Sequence, residues 1–65
     1  MSAKSREQLI LARCNIIEAT TILYNAKANA MEAGDKDLYR SISKAAHELY
    51  EMGHKIRERL DSQLG

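Results

Sequence analysis

Glu32-Ala33-Gly34-Asp35-Lys36-Asp37 decides the fold, because this segment interrupts a chain that otherwise contains nothing to stop a helix. Gly34 can adopt the left-handed conformation that ends many helices. Asp35 or Asp37 can then cap a second helix. The 65 residues include no proline, which costs about 3 kcal/mol inside a helix. The sequence therefore predicts an all-α protein with one break between two long helices.

The start of the first helix is predicted from Ser5 and Gln8, which match the S-x-x-Q pattern of a capping box. A connection of only a few residues makes the two helices antiparallel neighbours. The prediction is a single helical-hairpin domain spanning 1–65, with helix 1 at about 6–33, a turn at 34–36 and helix 2 at about 37–62.

Composition narrows the class of protein. The chain has ten Lys and Arg residues and nine Asp and Glu residues, so the overall basic excess typical of nucleic-acid binders is missing. No stretch approaches the ~18 uninterrupted apolar residues of a membrane span, and the first residues do not resemble a signal peptide. The single cysteine excludes an internal disulfide framework and fits a reducing compartment. We expect a cytoplasmic protein without membrane contact.

Helix 1 carries two apolar stripes. In the first stripe, large and small residues alternate at spacings of three and four: Leu9, Ala12, Ile16, Ala19, Leu23, Ala26, Ala30 and Ala33. The second stripe lies about 100° further round and consists of Ile10, Ile17, Tyr24 and Met31. Because one neighbouring helix covers a single seam, something else must cover the second stripe. Small chains often need a partner chain for stability, so we expect two hairpins to dimerise into a four-helix bundle.

The candidate residues for the dimer or partner interface are Leu9, Ile10, Ile16, Ile17, Leu23, Tyr24 and Met31. Tyr24 is the best candidate for an anchor, because tyrosine is enriched at binding hot spots. Two alternatives remain open. Ile10, Ile17 and Tyr24 could be ordinary, partly exposed residues, or they could be the dock for a different protein.

Helix 2 is apolar on one side only. Its ladder faces helix 1 and consists of Tyr39, Ile42, Ala46, Leu49, Gly53, Ile56 and Leu60, flanked by Leu38, Ala45 and Met52. Tyr39 and Tyr50 lie in or beside this ladder, so packing is their expected role.

Several segments resemble the Rop (or Rom) family of plasmid copy-number regulators, which are dimers of helical hairpins. These segments are Leu9-Ile10-Leu11-Ala12-Arg13, Thr21-Ile22-Leu23, the acidic turn around Gly34-Asp35, and Ala46-His47-Glu48-Leu49-Tyr50. The resemblance covers most of positions 9 to 56. It implies a dimeric bundle whose first helices contact paired RNA loops.

The family's RNA-contacting positions match only at Arg13 and Thr21. Cys14 stands where the family has phenylalanine, which removes base stacking worth about 1–3 kcal/mol per base. Glu18 replaces a glutamine and brings negative charge towards phosphate. Ile10 and Asn25 replace an asparagine and a lysine. The resemblance therefore implies the bundle, while RNA binding is the alternative function and not the first.

A looser resemblance concerns size, hairpin form and mixed charge. In these three properties, the chain is similar to small accessory proteins that are encoded between the exonuclease and excisionase genes of lambdoid phages. This resemblance implies a dimeric phage protein that acts on a host process through protein contacts.

Candidate chemistry is sparse. His47, Glu51, His54 and Glu58 share one side of helix 2 at metal-ligand spacing, but this side is polar, and a solvated helix face explains it better. Cys14 has no histidine near it in sequence and is expected to be a buried or half-buried apolar residue. No catalytic, cofactor-binding or metal-binding residue is predicted, and the protein is expected not to be an enzyme.

The antiparallel hairpin brings the start of helix 1 beside the end of helix 2, which makes that end of the bundle basic. Candidate contacts to RNA or to an acidic partner are Lys4, Arg6, Arg13, Thr21, Lys55, Arg57 and Arg59. The alternative is that cations at the end of helix 2 only favour its dipole. The expected function is a small phage- or plasmid-encoded regulatory protein that contacts a host protein.

Overall fold

The computed structural model of the chain describes residues 2–62, which form two long helices. Helix α1 spans Ala3–Ala33 and helix α2 spans Lys36–Ser62, and the part between 2 and 62 contains no strand. The Arg6 side chain crosses to the other helix, where its Nη1 donates a hydrogen bond to the carbonyl oxygen of Leu60 at 3.3 Å. The start of α1 therefore lies beside the end of α2, and the predicted all-α hairpin is confirmed.

Helix α1 begins earlier than the sequence predicts. Ser2 is the N-cap: its backbone is extended and its Oγ accepts a hydrogen bond from the Ser5 N–H at 3.1 Å. Because Ser5 thereby becomes a helical residue, it cannot serve as the cap itself. The predicted capping box at Ser5 and Gln8 is therefore wrong, and the helix starts at Ala3 instead of about residue 6.

The turn forms as the sequence predicts. Gly34 has φ 72° and ψ 16°, and its N–H bonds the Met31 carbonyl at 3.1 Å. The N–H of Asp35 bonds the Ala30 carbonyl at 3.1 Å, which completes a Schellman-type ending. Asp35 Oδ1 in turn accepts from the Leu38 N–H at 3.0 Å and so caps α2. The turn is one residue shorter than predicted, since Lys36 already belongs to α2.

The seam between the helices contains the most buried residues. Ala30, Ala46, Gly53, Ile56 and Leu60 are buried, and Ala46 retains only 1% of its accessible surface. The rest of the first stripe of α1 is half-buried against α2, except for its last member. Ala33 is exposed, because it ends the helix where the chain turns away from the seam. The small residues allow the two helix backbones to approach closely.

Gly53 gives a first prediction, because it lies inside α2 and needs no glycine geometry. A Cβ added there would lie 3.8 Å from Ile16 Cγ2, which is an ordinary van der Waals contact. Gly53→Ala should therefore raise the free energy of unfolding by about 0.5–1 kcal/mol, and the melting temperature by several degrees. Thermal unfolding followed by circular dichroism measures this.

The matched control is Gly34→Ala at the turn. Alanine at a φ of 72° is strained, so this variant should lose about 1 kcal/mol although it has open space around the site. If Gly53→Ala proved as destabilising as Gly34→Ala, the helices would have to pack more closely at Gly53 than the 3.8 Å separation from Ile16 Cγ2 indicates.

Candidate functional site

The second stripe of α1 lies outside the seam. Its members Ile10, Ile17, Tyr24 and Met31 are all exposed, with Met31 retaining 63% of its accessible surface. The sequence predicts that the neighbouring helix does not cover these residues, and in the hairpin α2 leaves them exposed. Leu9, Ile16 and Leu23, the other interface candidates, are half-buried towards α2.

A second exposed apolar surface was missed by the sequence reasoning. Leu11 and Ile22 are exposed on α1, and eleven residues bring them within about 20° of each other round the helix. They lie about 120–140° away from Ile17. On α2, Leu38 and Met52 are also exposed. We call Leu11, Ile22, Leu38 and Met52 the back face.

A groove runs between the two helices on the side of the second stripe. It has a volume of about 320 Å³ and is lined by Arg13, Ile16, Ile17, Thr20, Thr21, Leu49, Tyr50, Gly53, His54 and Arg57. Gly53 lines this groove, and a Cβ added to it would meet Ile16 Cγ2 at 3.8 Å. Two residues predicted to contact RNA or an acidic partner on α1, Arg13 and Thr21, thus lie together with Arg57 of α2.

The charged side chains that line the groove are two arginines, Arg13 and Arg57. The hydroxyl groups of Thr20 and Thr21 donate to the Ile16 and Ile17 carbonyls at 2.8 and 3.2 Å, so their protons are already used. Arg57 Nε lies 3.8 Å from Asp61 Oδ2, but Asp61 is not part of the lining. Among residues 2–62, no carboxylate lines the groove.

The tyrosines differ from expectation in one case. Tyr39 is half-buried, whereas Tyr50 is exposed at the groove rim, where its ring meets His54 edge-on at 4.6 Å between centroids. The expected packing role of Tyr50 in the hairpin is therefore wrong, because it points past the seam. Nearer the turn, Lys27 Nζ lies 5.1 Å from the Tyr39 ring centroid and 5.8 Å from that of Tyr24.

At the basic end, Arg6 forms a hydrogen bond across the hairpin. It donates to the carbonyl of Leu60, which is one of the carbonyl groups that the end of a helix leaves without a backbone partner. This contact supports the dipole explanation for Arg6. Four further candidates at this end are exposed: Lys4, Lys55, Arg57 and Arg59.

On the polar side of α2 that carries His47, Glu51, His54 and Glu58, one pair of side chains at i, i+4 is in contact. His47 Nε2 lies 3.6 Å from Glu51 Oε1, and both side chains are largely exposed. Among residues 2–62, no three His, Cys, Asp or Glu side chains are arranged to hold a metal ion. Cys14 is exposed, so its expected burial is wrong: a single-layer hairpin covers only one side of α1.

Comparisons of the chain with known protein families, with curated proteins and with solved structures find no match. Within the described part of the chain, neither helix combines the length and apolar character that a membrane span needs. The assignment of function therefore depends on the surfaces of the hairpin.

Proposed function

We propose that the chain is a non-enzymatic regulatory protein that works as a homodimer and acts on a larger machine through protein–protein contact. The observation that carries the proposal is the exposure of nine large apolar side chains between residues 2 and 62, each retaining 43–63% of its accessible surface. They lie on two sides of the hairpin, as the second stripe with Tyr50 and as the back face. Large exposed apolar surfaces mark interaction sites in proteins.

The accessible area supports a partner of ordinary interface size. The chain exposes 5076 Å², whereas a compact monomer of 7.3 kDa exposes about 4,200 Å². The excess of roughly 900 Å² is close to the ~800 Å² that each partner buries in a standard interface. Two hairpins packed into a four-helix bundle would remove such an excess.

The proposed setting is the cytoplasm of a host cell, for a protein encoded by a phage or a plasmid. The resemblances to Rop-like hairpins and to lambdoid phage accessory proteins suggest this source. The unpaired Cys14 agrees with a reducing compartment.

The second candidate function is a Rop-like regulator that recognises paired RNA loops. One observation favours it: Arg13 and Thr21, the two positions that match the family, lie in the same groove as Arg57. This function predicts RNA binding that weakens steeply with salt and is lost in Arg13→Ala. RNA binding that is unaffected by Arg13→Ala would contradict it.

If the chain is a homodimer, light scattering should give a mass of twice 7.3 kDa, and the melting temperature should rise with protein concentration. Leu11→Glu with Ile22→Glu places two carboxylates on the back face and should give a monomer that stays helical. Arg40→Glu, at an exposed site of α2 about 120–160° round the helix from Met52 and Leu38, makes the same change in net charge and should leave the dimer intact. A wild-type mass of 7.3 kDa at high concentration would refute the dimer.

A further inference from the structure

We propose that the groove between α1 and α2 binds an acidic amphipathic helix of a partner protein, while the back face is left for the second copy of the chain. This inference rests on the proposed function, because it specifies the partner that the protein contact would take. It does not require the dimer itself, since both walls of the groove belong to one chain.

Charge is the first argument. Arg13 lies on the α1 wall and Arg57 on the α2 wall, with His54 beside Arg57, and in the described part of the chain no acidic residue lines the space between them. The ion pair with Asp61 joins Arg57 Nε to Oδ2 at 3.8 Å, which is longer than a hydrogen bond, and both side chains are largely exposed, so the Arg57 guanidinium is accessible to a ligand. Two arginines on opposite walls can hold carboxylates on both flanks of a bound segment.

The apolar floor is the second argument. Ile16, Leu49 and Gly53 form it, and the exposed Ile17 extends it towards the second stripe. The lining on α1 runs from Arg13 to Thr21, a rise of about 12 Å, or roughly two helical turns. This length fits the anchors of a helix laid in a groove, which recur at i, i+4 and i+7.

A second copy fits the groove less well. In a two-fold dimer each surface meets itself, so a groove-to-groove contact would bring arginines towards arginines. The back face is bordered by side chains of both signs, which can pair across a two-fold axis: Glu18, Glu48, Lys55 and Arg59. The charge pattern therefore separates the surface for the copy from the surface for the partner.

An RNA loop also fits less well than an acidic helix. The floor is aliphatic, and the two aromatic rings that line the groove, those of Tyr50 and His54, lie at its rim and pack edge-on against each other. Tyr50 presents its ring to His54, and the threonine protons are used by backbone carbonyls. The acidic helix uses both the arginines and the aliphatic floor, whereas phosphates use the arginines alone.

The test measures fluorescence anisotropy with a helical peptide of about four turns, which carries leucine at i, i+4 and i+7 and glutamate on both flanks. The same peptide with lysine for every glutamate is the charge control. Arg13→Glu with Arg57→Glu should weaken binding of the acidic peptide by about tenfold or more. Arg40→Glu with Lys44→Glu makes the same change in net charge at exposed sites that neither line the groove nor border the back face, and should leave binding nearly unchanged.

Light scattering on the same samples separates this inference from the proposed dimer. A monomeric wild-type chain that still binds the acidic peptide through Arg13 and Arg57 would support the groove and refute the dimer. If the groove variant became monomeric, the second copy would be the occupant and the inference would be wrong. Equal weakening by both double variants, or no binding at about 1 mM peptide, would also overturn it. So would an RNA stem-loop that binds through these arginines where the peptide does not.

Discussion

Ala46→Asp is expected to unfold the hairpin at room temperature. Ala46 keeps 1% of its accessible surface in the seam, so a carboxylate there would be cut off from water. An unpaired buried charge costs about 3–5 kcal/mol. A core of this size rarely supplies more than about 3–5 kcal/mol in total. Far-ultraviolet circular dichroism should therefore show a large loss of helix and no cooperative thermal transition.

The matched control is Ala28→Asp, at an exposed position inside α1. It makes the same change in helix propensity, worth about 0.7 kcal/mol, without burying a charge. Acidification should restore part of the helix in Ala46→Asp, because a protonated carboxyl group is less costly to bury. If both variants stayed equally helical, the close packing of the seam around Ala46 would be wrong.

Ile56→Ala should produce the second large effect. Ile56 is 9% exposed and is one of the few large side chains buried in the seam. Removing it should lower the free energy of unfolding by about 2–4 kcal/mol through lost burial and the cavity left behind. The melting temperature should fall by about 10 °C or more. Denaturant titration and thermal unfolding would measure both quantities.

Ile22→Ala provides the control with the same chemistry, since Ile22 is 61% exposed. In a lone hairpin this substitution should change stability by less than about 0.5 kcal/mol. If a second copy covers the back face, the loss should instead grow with protein concentration, because the dimer is stabilised by mass action. A large loss in Ile22→Ala that is independent of concentration would contradict both cases.

Much of the fold could be predicted because its signals are local. A left-handed glycine followed by an aspartate cap needs only neighbouring residues, and Gly34 and Asp35 behave as predicted. The start of α1 was mispredicted because Ser2 and Ser5 both have the right side chain. Only the backbone shows which of the two is extended and which is helical.

The candidate site was less predictable, because burial depends on what lies across the seam. Cys14 and Tyr50 have residue types that often pack, yet both are exposed, since the hairpin is a single layer. Leu11 and Ile22 repeat at eleven residues, a spacing that the heptad pattern of the two apolar stripes does not include. The groove could not be foreseen, because it joins residues about forty positions apart whose pairing depends on helix register.

The sequence by itself determined two uninterrupted helices, their turn and the apolar excess on α1, because proline content, capping and helical periodicity act over one or two turns. Only the tertiary structure decided which apolar side chains the hairpin hides and which it leaves exposed. It also brought Arg13 of α1 and Arg57 of α2 to one groove and left Leu11 and Ile22 on another side of α1. The reason is physical: a helix presents all its sides, and the rotation of one helix against its neighbour selects which side is covered.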